Sequence, residues 1–390
     1  MSDKPLMRVA LVGYAFMGAA HSQAWRNAHR FFDLPAIPEL AVLCGRNASA
    51  AAAAAEKLGW QETATDWHEV VTRDDIDVVD ISSPGDTHRD IAIAALAAGK
   101  HVLCEKPLAN TVAEAEEMTA AAEEAQRRGV LAMAGFNYRR APALALAREL
   151  VSRGRLGRIR HVRAQYLQDW IVDPEFPLVW RLQKDKAGSG ALGDLGAHIV
   201  DLARFLTGER LTGVAGTLER FIARRPLPRQ ATGLSGSGGG GTGEVTVDDA
   251  TAFFGRTENG ALATFEATRF AAGRKNAMRI ELNGSEGSLA FDFERLNELQ
   301  VYDGTVPAAD AGFRRILATE PDHPYAGAWW PPGHGLGYEH TFVHEVADFV
   351  CDVSAGAPPA PSFADGLYVQ RVLDAVERSS AASSTWTEIG

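Results

Sequence analysis

The sequence predicts an α/β protein: a doubly wound parallel sheet followed by an α+β domain built on a large, mostly antiparallel open sheet. Three observations carry that expectation. From Met7 to about Ala134, short β-rich apolar runs alternate with alanine-rich helical segments, the pattern of βαβ units. A glycine-bounded turn, Gly13-Tyr14-Ala15-Phe16-Met17-Gly18, joins the first strand to the first helix. Beyond Arg158 strand-like runs follow one another, separated by Gly and Asn turns that read as hairpins.

In chain order the parallel strands are RVALVG, LAVLCG, DVVDIS, HVLCE and LAMAG. Helices are expected between them over Gly18 to His29, Ala48 to Leu58, His88 to Ala98 and Val112 to Arg128, with Thr87 and Thr111 as N-caps of the last two. A helix over Pro142 to Ser152 stops at Gly154. A chain of 390 residues is long for one core, and we divide it into residues 1–140 and 141–390. The second part supplies the strands RHVRAQYLQDW, VTVDDATAFFGRT, GALATFEATRFA, NAMRIELNG, GSLAFDFE and ELQVYDG. Helices over Ala191 to Leu206, His340 to Ser354 and Phe363 to Ser380 complete it. The run GLSGSGGGGTG, Gly233 to Gly243, has linker composition; it follows no apolar strand and opens no helix, so a mobile surface loop is expected rather than a phosphate cradle.

Composition narrows the function. With 39 basic against 50 acidic side chains the net charge is −11, which repels polyanions. Nucleic acid and anionic membrane are excluded as partners, leaving a small molecule. Cys44, Cys104 and Cys351 lack CxxC spacing and read as buried thiols of a reducing compartment, not as disulfides or metal ligands. The apolar N-terminal stretch has no n-region or cleavage site, so the cytoplasm is expected.

Chemistry begins at the glycine turn, whose position between strand and helix is the context of a dinucleotide fingerprint. Gly13 permits the tight turn, Gly18 allows close packing, and the small Ala15 lets the amides that open the helix approach a pyrophosphate. Taken alone, the same glycines fit an ordinary strand–turn–helix; the βαβ series favours the cofactor. After the second strand, Gly45-Arg46-Asn47 stands where an acidic residue usually meets a ribose 2′-hydroxyl. Arg46 can grip a 2′-phosphate and Asn47 can serve a hydroxyl, so NAD and NADP both stay open on the residues themselves.

Cys104-Glu105-Lys106-Pro107 closes a parallel strand at the sheet edge where such folds bind ligands. A partly desolvated Lys106 there can donate to a substrate hydroxyl, although an exposed strand-end charge is the plainer reading. Asp194 and His198 stand four apart on an expected helix and so share a face. The carboxylate can set the imidazole's tautomer, and His198 can then accept a proton as a carbinol becomes a carbonyl. Two such groups fall short of a closed metal site, so no metal is expected.

In their order along the chain, GYAFMG, SSPGDTH, CEKPLA, GFNYRR and GALGDLGAHIVDLARFL resemble the glucose-fructose oxidoreductase / inositol dehydrogenase / rhizopine catabolism (Gfo/Idh/MocA) family over nearly its whole length. Within that family QYLQDWIVDPEFPLVWR, FEATR and WWPPGHGLGYEH look like a sugar dehydrogenase subgroup that includes levoglucosan dehydrogenase. The resemblance implies a Rossmann NAD(P)-binding domain over 1–140, with NAD favoured by the subgroup. It implies a substrate-binding and oligomerisation domain over 141–390 and a homo-oligomer, dimer or tetramer, formed through the open sheet. Hydride transfer would fall at a ring carbon of a sugar, anhydrosugar or inositol. Lys106, Asp194 and His198 match the catalytic motifs. Around the cofactor the resemblance sets Gly13, Ala15, Phe16, Met17, Gly18, Arg46, Ser83, Pro84, His88, Glu105, Lys106, Asn137 and Arg181. Around the sugar it sets Tyr138, Gln165, Asp169, Trp170, Trp180, His334 and Tyr338, with Arg139 beside Asn137 and Tyr138 lining the cleft; isolated tryptophans would otherwise be read as core. Ala15 and Arg46 depart from the family's usual glycine and acidic residue. Two rival readings use the same residues: a redox-neutral glycosidase or lyase with a tightly held cofactor, and a sensor that keeps the fold without catalysis.

Overall fold

The computed structural model describes residues 4–232 and 235–390. They form two compact units, one of residues up to Asn137 with Tyr338–Gln370, the other of Tyr138–Ala231, Ser235–Gly337 and Arg371–Gly390. The stretch 338–370 therefore clusters with the first unit, although a division near residue 140 assigned it to the second. Its reason is packing: α9 (Tyr338–Ala355) lies along α1 (Phe16–Phe31), with Phe349 edge-on to Trp25 and Phe342 against His21. Nothing local to either segment announces such a pairing.

The first unit carries a parallel sheet of β1 (Leu6–Val12), β2 (Ile37–Cys44), β3 (Glu62–Ala64), β4 (Val78–Ile81), β5 (His101–Glu105) and β6 (Ala132–Gly135), in the order β3-β2-β1-β4-β5-β6. Its helices are α1, α2 (Ala48–Leu58), α3 (Trp67–Val71), α4 (His88–Ala97) and α5 (Val112–Gln126). This is the expected doubly wound arrangement, with β3 added. At three residues β3 is too short and polar to stand out by pattern. Thr111 is an N-cap with a full capping box to Glu114. Thr87 is not: a short 3₁₀ turn over Gly85–Thr87 precedes α4, and the Thr87 hydroxyl donates to the Pro84 carbonyl at 2.7 Å.

In the second unit, α6 (Pro142–Ser152) starts on a proline, which has no amide hydrogen to leave unsatisfied. The unit's strands begin with β7 (Ile159–Leu167) and β8 (Leu211–Glu219), which are not neighbours in the sheet. Next come β9 (Arg224–Thr232), β10 (Ser235–Glu244), β11 (Ala250–Thr257), β12 (Leu262–Thr268), β13 (Ala277–Gly284), β14 (Gly287–Asp292), β15 (Glu298–Asp303), β16 (Arg314–Leu317) and the C-terminal β17 (Thr387–Glu388). Nine of these form a sheet ordered β16-β15-β14-β13-β7-β12-β11-β8-β17, antiparallel except where β7 meets β12. One face is packed and the other open: on β11, Phe253 is buried while its neighbour Phe254 is exposed.

The glycine-rich run is not a loop. Its residues from Ser235 onward form β10, paired with β9 in a separate two-stranded sheet; Gly233 lies outside the described residues. A Cβ on Gly238 would come within 2.8 Å of the Pro226 side chain, and one on Gly243 within 2.5 Å of Leu178. Close approach accounts for Gly238 and Gly243 and a positive φ for Gly241, while a Cβ on Gly240 would meet nothing within 4 Å. The helix expected over Ala191 to Leu206 begins as a π-helical turn, Leu192–Gly196, before α8 (Ala197–Thr207). Short α7 (Lys184–Ala187) precedes it, and α10 (Phe363–Ala381) closes the helical series. All three cysteines are free; Cys44 and Cys104 are buried, but Cys351, on the outer side of α9, is exposed.

Arg139 was expected to line a cleft. It is instead buried, with Nε donating to Asp201 Oδ2 at 2.7 Å and Nη2 to Oδ1, and its guanidinium lies over Phe205. A bidentate pair fixes the loop after Tyr138 to α8. Breaking one half strands a buried charge, so Arg139→Ala should lower the unfolding free energy by about 3–5 kcal/mol in urea titrations. Asp201→Leu in the same chain should restore much of that loss.

Candidate active site

The turn after β1 is built for close approach. Gly13 has φ +106°, and a Cβ there would lie 2.8 Å from the Ser82 and Ser83 backbone. On Gly18 a Cβ would sit 2.2 Å from the Gly13 carbonyl oxygen. The α1 N-cap, Ala15, makes no side-chain capping bond, and no acidic residue occupies the first turn. These features fit a phosphate at the helix start, where orphan amides and the helix dipole favour an anion. Phe16, 45% exposed, stacks on Tyr338 with ring centroids 6.1 Å apart. Met17 is half-buried, and Arg46 is exposed beyond β2, beside Asn47, which caps α2. Tyr14, overlooked in the sequence, lies over Gly45, where a side chain would collide with its ring.

Lys106 is half-buried at the end of β5. The residue before it, Glu105, is buried; its Oε1 lies 2.9 Å from His21 Nε2 and its Oε2 accepts the Lys106 backbone N–H at 3.0 Å. His21 Nδ1 is 2.8 Å from Asp80 Oδ2, which also accepts the Trp25 indole N–H at 2.6 Å. Burial alone would lower the His21 pKa, but the Asp80 charge and the hydrogen bonds to Asp80 and Glu105 outweigh it and hold it well above the ordinary value. His88 is buried with Nε2 2.9 Å from the Ser83 carbonyl and Nδ1 3.1 Å from the Pro107 carbonyl. It ties the Ser83-Pro84 loop to the segment after Lys106. Ser83 Oγ bonds Thr87 at 2.6 Å, and buried Asn137 donates to Thr341 Oγ1 at 2.8 Å.

In the second unit His198 lies face to face with Tyr138 at 4.3 Å and edge-on to Tyr166 at 5.7 Å. The two tyrosine hydroxyls are 2.6 Å apart, and Tyr166 donates on to Asn276 at 2.7 Å. Tyr138 is thus largely buried and packs the imidazole. Asp194 sits on the π turn with a side chain 29% exposed, 3.9 Å from the fully buried guanidinium of Arg269. Asp248 anchors that turn by accepting the Gly190 and Leu192 amides at 2.6 and 2.8 Å, and Arg269 Nη2 donates to its carbonyl. A Cβ on Gly190 would meet that carbonyl oxygen at 1.8 Å. π turns inserted in helices recur at functional sites.

Other expected residues are differently engaged. Gln165 donates to Glu266 at 2.9 Å, in the cross-strand row Glu266, Gln165, Arg279 and Asp292. Strand alternation puts this row on the open face, opposite Tyr166 and His198. Asp169 is drawn away by the Gly273 N–H and Lys275 Nζ, at 2.9 and 2.7 Å. Trp170 packs edge-on to Phe176 and under Arg269, against the Ile171, Leu178 and Val247 cluster. Trp180 carries the Arg181 guanidinium 4.3 Å above its ring. His334 is exposed, with Nδ1 turned to the Pro331 carbonyl.

A dinucleotide-ready turn on a doubly wound sheet, with a strand-end lysine and a shielded histidine elsewhere in the chain, defines a nicotinamide-dependent oxidoreductase. Residues 7–133 match the oxidoreductase family with an NAD-binding Rossmann fold, and residues 144–290 match the GFO/IDH/MocA C-terminal domain. The chain belongs to this GFO/IDH/MocA family of NAD-binding oxidoreductases. It is 43% identical over 388 residues to levoglucosan dehydrogenase of Pseudarthrobacter phenanthrenivorans, covering 98% of each chain. An oxidoreductase domain protein from Kribbella flavida superposes with TM-score 0.95 at 63% identity, covering 99% of this chain and all of that one. Levoglucosan dehydrogenase in complex with NADH and levoglucosan superposes with TM-score 0.92 at 42% identity, over 98% of this chain and 99% of that one.

Two outcomes follow. Gly18→Val, which forces a side chain into the Gly13 carbonyl, should weaken NADH binding at least tenfold in fluorescence titrations. The raised His21 pKa means its bridge contributes fully below about pH 6.5, the unfolded value, and is lost as pH rises through the higher folded value. Thermal melts of the wild type should therefore lose more stability between pH 7 and 10 than those of His21→Asn.

Proposed function

We propose that the protein is an NAD-dependent dehydrogenase oxidising a secondary hydroxyl of a sugar, with an anhydrosugar of the levoglucosan type as first candidate. The observation that carries this reading is the full-length likeness to the levoglucosan dehydrogenase complex. On this reading, the residue 1–140 region of the chain binds cofactor and the 141–390 region binds sugar and a second subunit. The Gly13-to-Gly18 turn with Ala15, Phe16 and Met17 receives the pyrophosphate. Arg46 and Asn47 face the ribose, and Ser83, Pro84, His88, Glu105, Asn137 and Arg181 complete the cofactor's surroundings. When bound, the nicotinamide supplies the hydride acceptor.

Lys106 donates a hydrogen bond from its ammonium group to the hydroxyl oxygen, easing loss of the proton. His198 accepts that proton on a ring nitrogen, its plane held by Tyr138 and Tyr166. Asp194, steadied by Arg269, orients the imidazole. Trp170, Trp180, Asp169, His334 and Tyr338 stay as candidates for sugar recognition; Gln165 is better assigned to the open sheet face. That face, with its row from Glu266 to Asp292 and the exposed Phe254, is the surface we assign to a second copy of the chain. We place the enzyme in the cytoplasm, a reading supported by its three unpaired cysteines.

Absorbance of reduced nicotinamide, followed with levoglucosan, glucose and myo-inositol against NAD and NADP, tests the reading. Net NADH formation with levoglucosan is expected; sugar turnover without net reduction would assign the redox-neutral elimination instead. Lys106→Ala should lower kcat/KM by about 10²-fold or more. A Lys106→Ala enzyme as fast as wild type would remove the lysine from the mechanism.

A further inference from the structure

His21 is buried, makes no appearance in the mechanism, and occupies an unusual position. Both its ring nitrogens face carboxylates: Nδ1 faces Asp80, 3.0 and 2.8 Å from its two oxygens, and Nε2 faces Glu105 at 2.9 Å. The three groups are 1%, 0% and 4% exposed. Two ionised carboxylates can both be satisfied only by a ring carrying hydrogen on each nitrogen, the imidazolium. One cation then bridges β4 and β5, adjacent strands whose carboxylates would otherwise repel in a medium without water.

The bridge has a direction. Asp80 Oδ2, the oxygen nearest His21, also accepts the Trp25 N–H, and both residues are carried by the helix that begins at the Gly13-to-Gly18 turn. Glu105 is therefore gripped through Oε1, which leaves Oε2 to accept the backbone N–H of Lys106. The backbone from which the lysine side chain springs is pinned by a carboxylate that is itself pinned by the imidazolium.

We infer that His21 is a positioning residue for Lys106, acting through Glu105 to fix the end of β5 where the lysine's ammonium group must meet the substrate oxygen. This rests on the reading of Lys106 as catalytic. The groups against His21 are Asp80 from β4, Glu105 from β5 and, from α9, the apolar Phe342, on a helix that also buries His344 and Glu345; Trp25, one turn on along its own helix, holds Asp80, and the buried Cys104 thiol lies on the other face of β5. Burial, Glu105 and Asp80 all push the Cys104 thiol upward, so it stays neutral where His21 is charged.

The first test needs no turnover. Selective ¹⁵N-histidine NMR on the full chain, with the His21 signal identified by its disappearance in His21→Asn, should show both ring nitrogens protonated at pH 8, where ordinary histidines are neutral. A neutral His21 ring at that pH, with the proton on a carboxyl group, overturns the proposal. The second test is a double-mutant cycle with NAD and levoglucosan, or the fastest sugar of the panel. His21→Asn should lower kcat on the order of tenfold to a hundredfold, since misplacing a group by about 1 Å can cost that much. The sugar KM and the NADH Kd should stay within about twofold. In a Lys106→Ala background the same change should have no further effect, because the residue it positions is gone. An equal loss in both backgrounds overturns the proposal. Wild-type turnover by Lys106→Ala alone sinks the reading of the lysine while leaving the NMR result standing, so the two failures are distinguishable. If His21→Asn does not fold, His21→Gln takes its place both in identifying the NMR signal and in the double-mutant cycle.

Discussion

A charge taken out of water must meet its opposite, and in each unit this happens next to the candidate functional residues. In the first, Asp80, His21 and Glu105 share a single buried cation, joining α1, β4 and β5 beneath the loops that hold the dinucleotide turn and Lys106. In the second, Arg269 lies beside Asp194 and donates to the backbone carbonyl of Asp248, whose carboxylate takes the Gly190 and Leu192 amides, so the π turn carrying the candidate carboxylate is held from inside the core. Removing one member leaves the others unsatisfied, which is costlier than never having buried them. Buried Arg225 does similar work for the neighbouring chain, donating to the carbonyls of Ile171, Asp173 and Phe176 and thereby shaping the approach to Trp170.

How much of this was legible in the sequence depended on whether the cause was local. α2 and α6 have the bounds that their alanine-rich and apolar periodicity suggests, and the Thr111 capping box is written in four consecutive residues. The dinucleotide turn was readable because strand, glycines and helix are contiguous. Lys106 could be placed at a strand end, and Asp194 near His198, by spacing alone. The proposal that the three act together rests on likeness to a family, since no spacing rule reaches from Lys106 to Asp194 and His198.

What escaped notice was mostly non-local. Asp80 is the one charged residue inside the apolar run VVDI, and a lone carboxylate on a fully buried strand demands a cation; that signal was present and could have led to His21. Gln165 was taken by resemblance into the sugar's surroundings, although strand alternation alone sets it on the face opposite Tyr166. The glycines of β10 were read as slack because glycine composition is the same for a flexible linker and for a strand pressed against its neighbours. Only the positions of Pro226 and Leu178 tell the two apart.

The π turn at Leu192–Gly196 has a geometric consequence. Each residue of an α-helix accounts for about 100° of rotation, and a π turn takes up one residue more than an α turn before the chain comes round again. Everything before it is therefore swung around the helix axis relative to the later turns that carry His198 and Asp201. The direction of the Asp194 carboxylate is thus set by the turn and its Asp248 and Arg269 anchors, not by the helix that holds the imidazole.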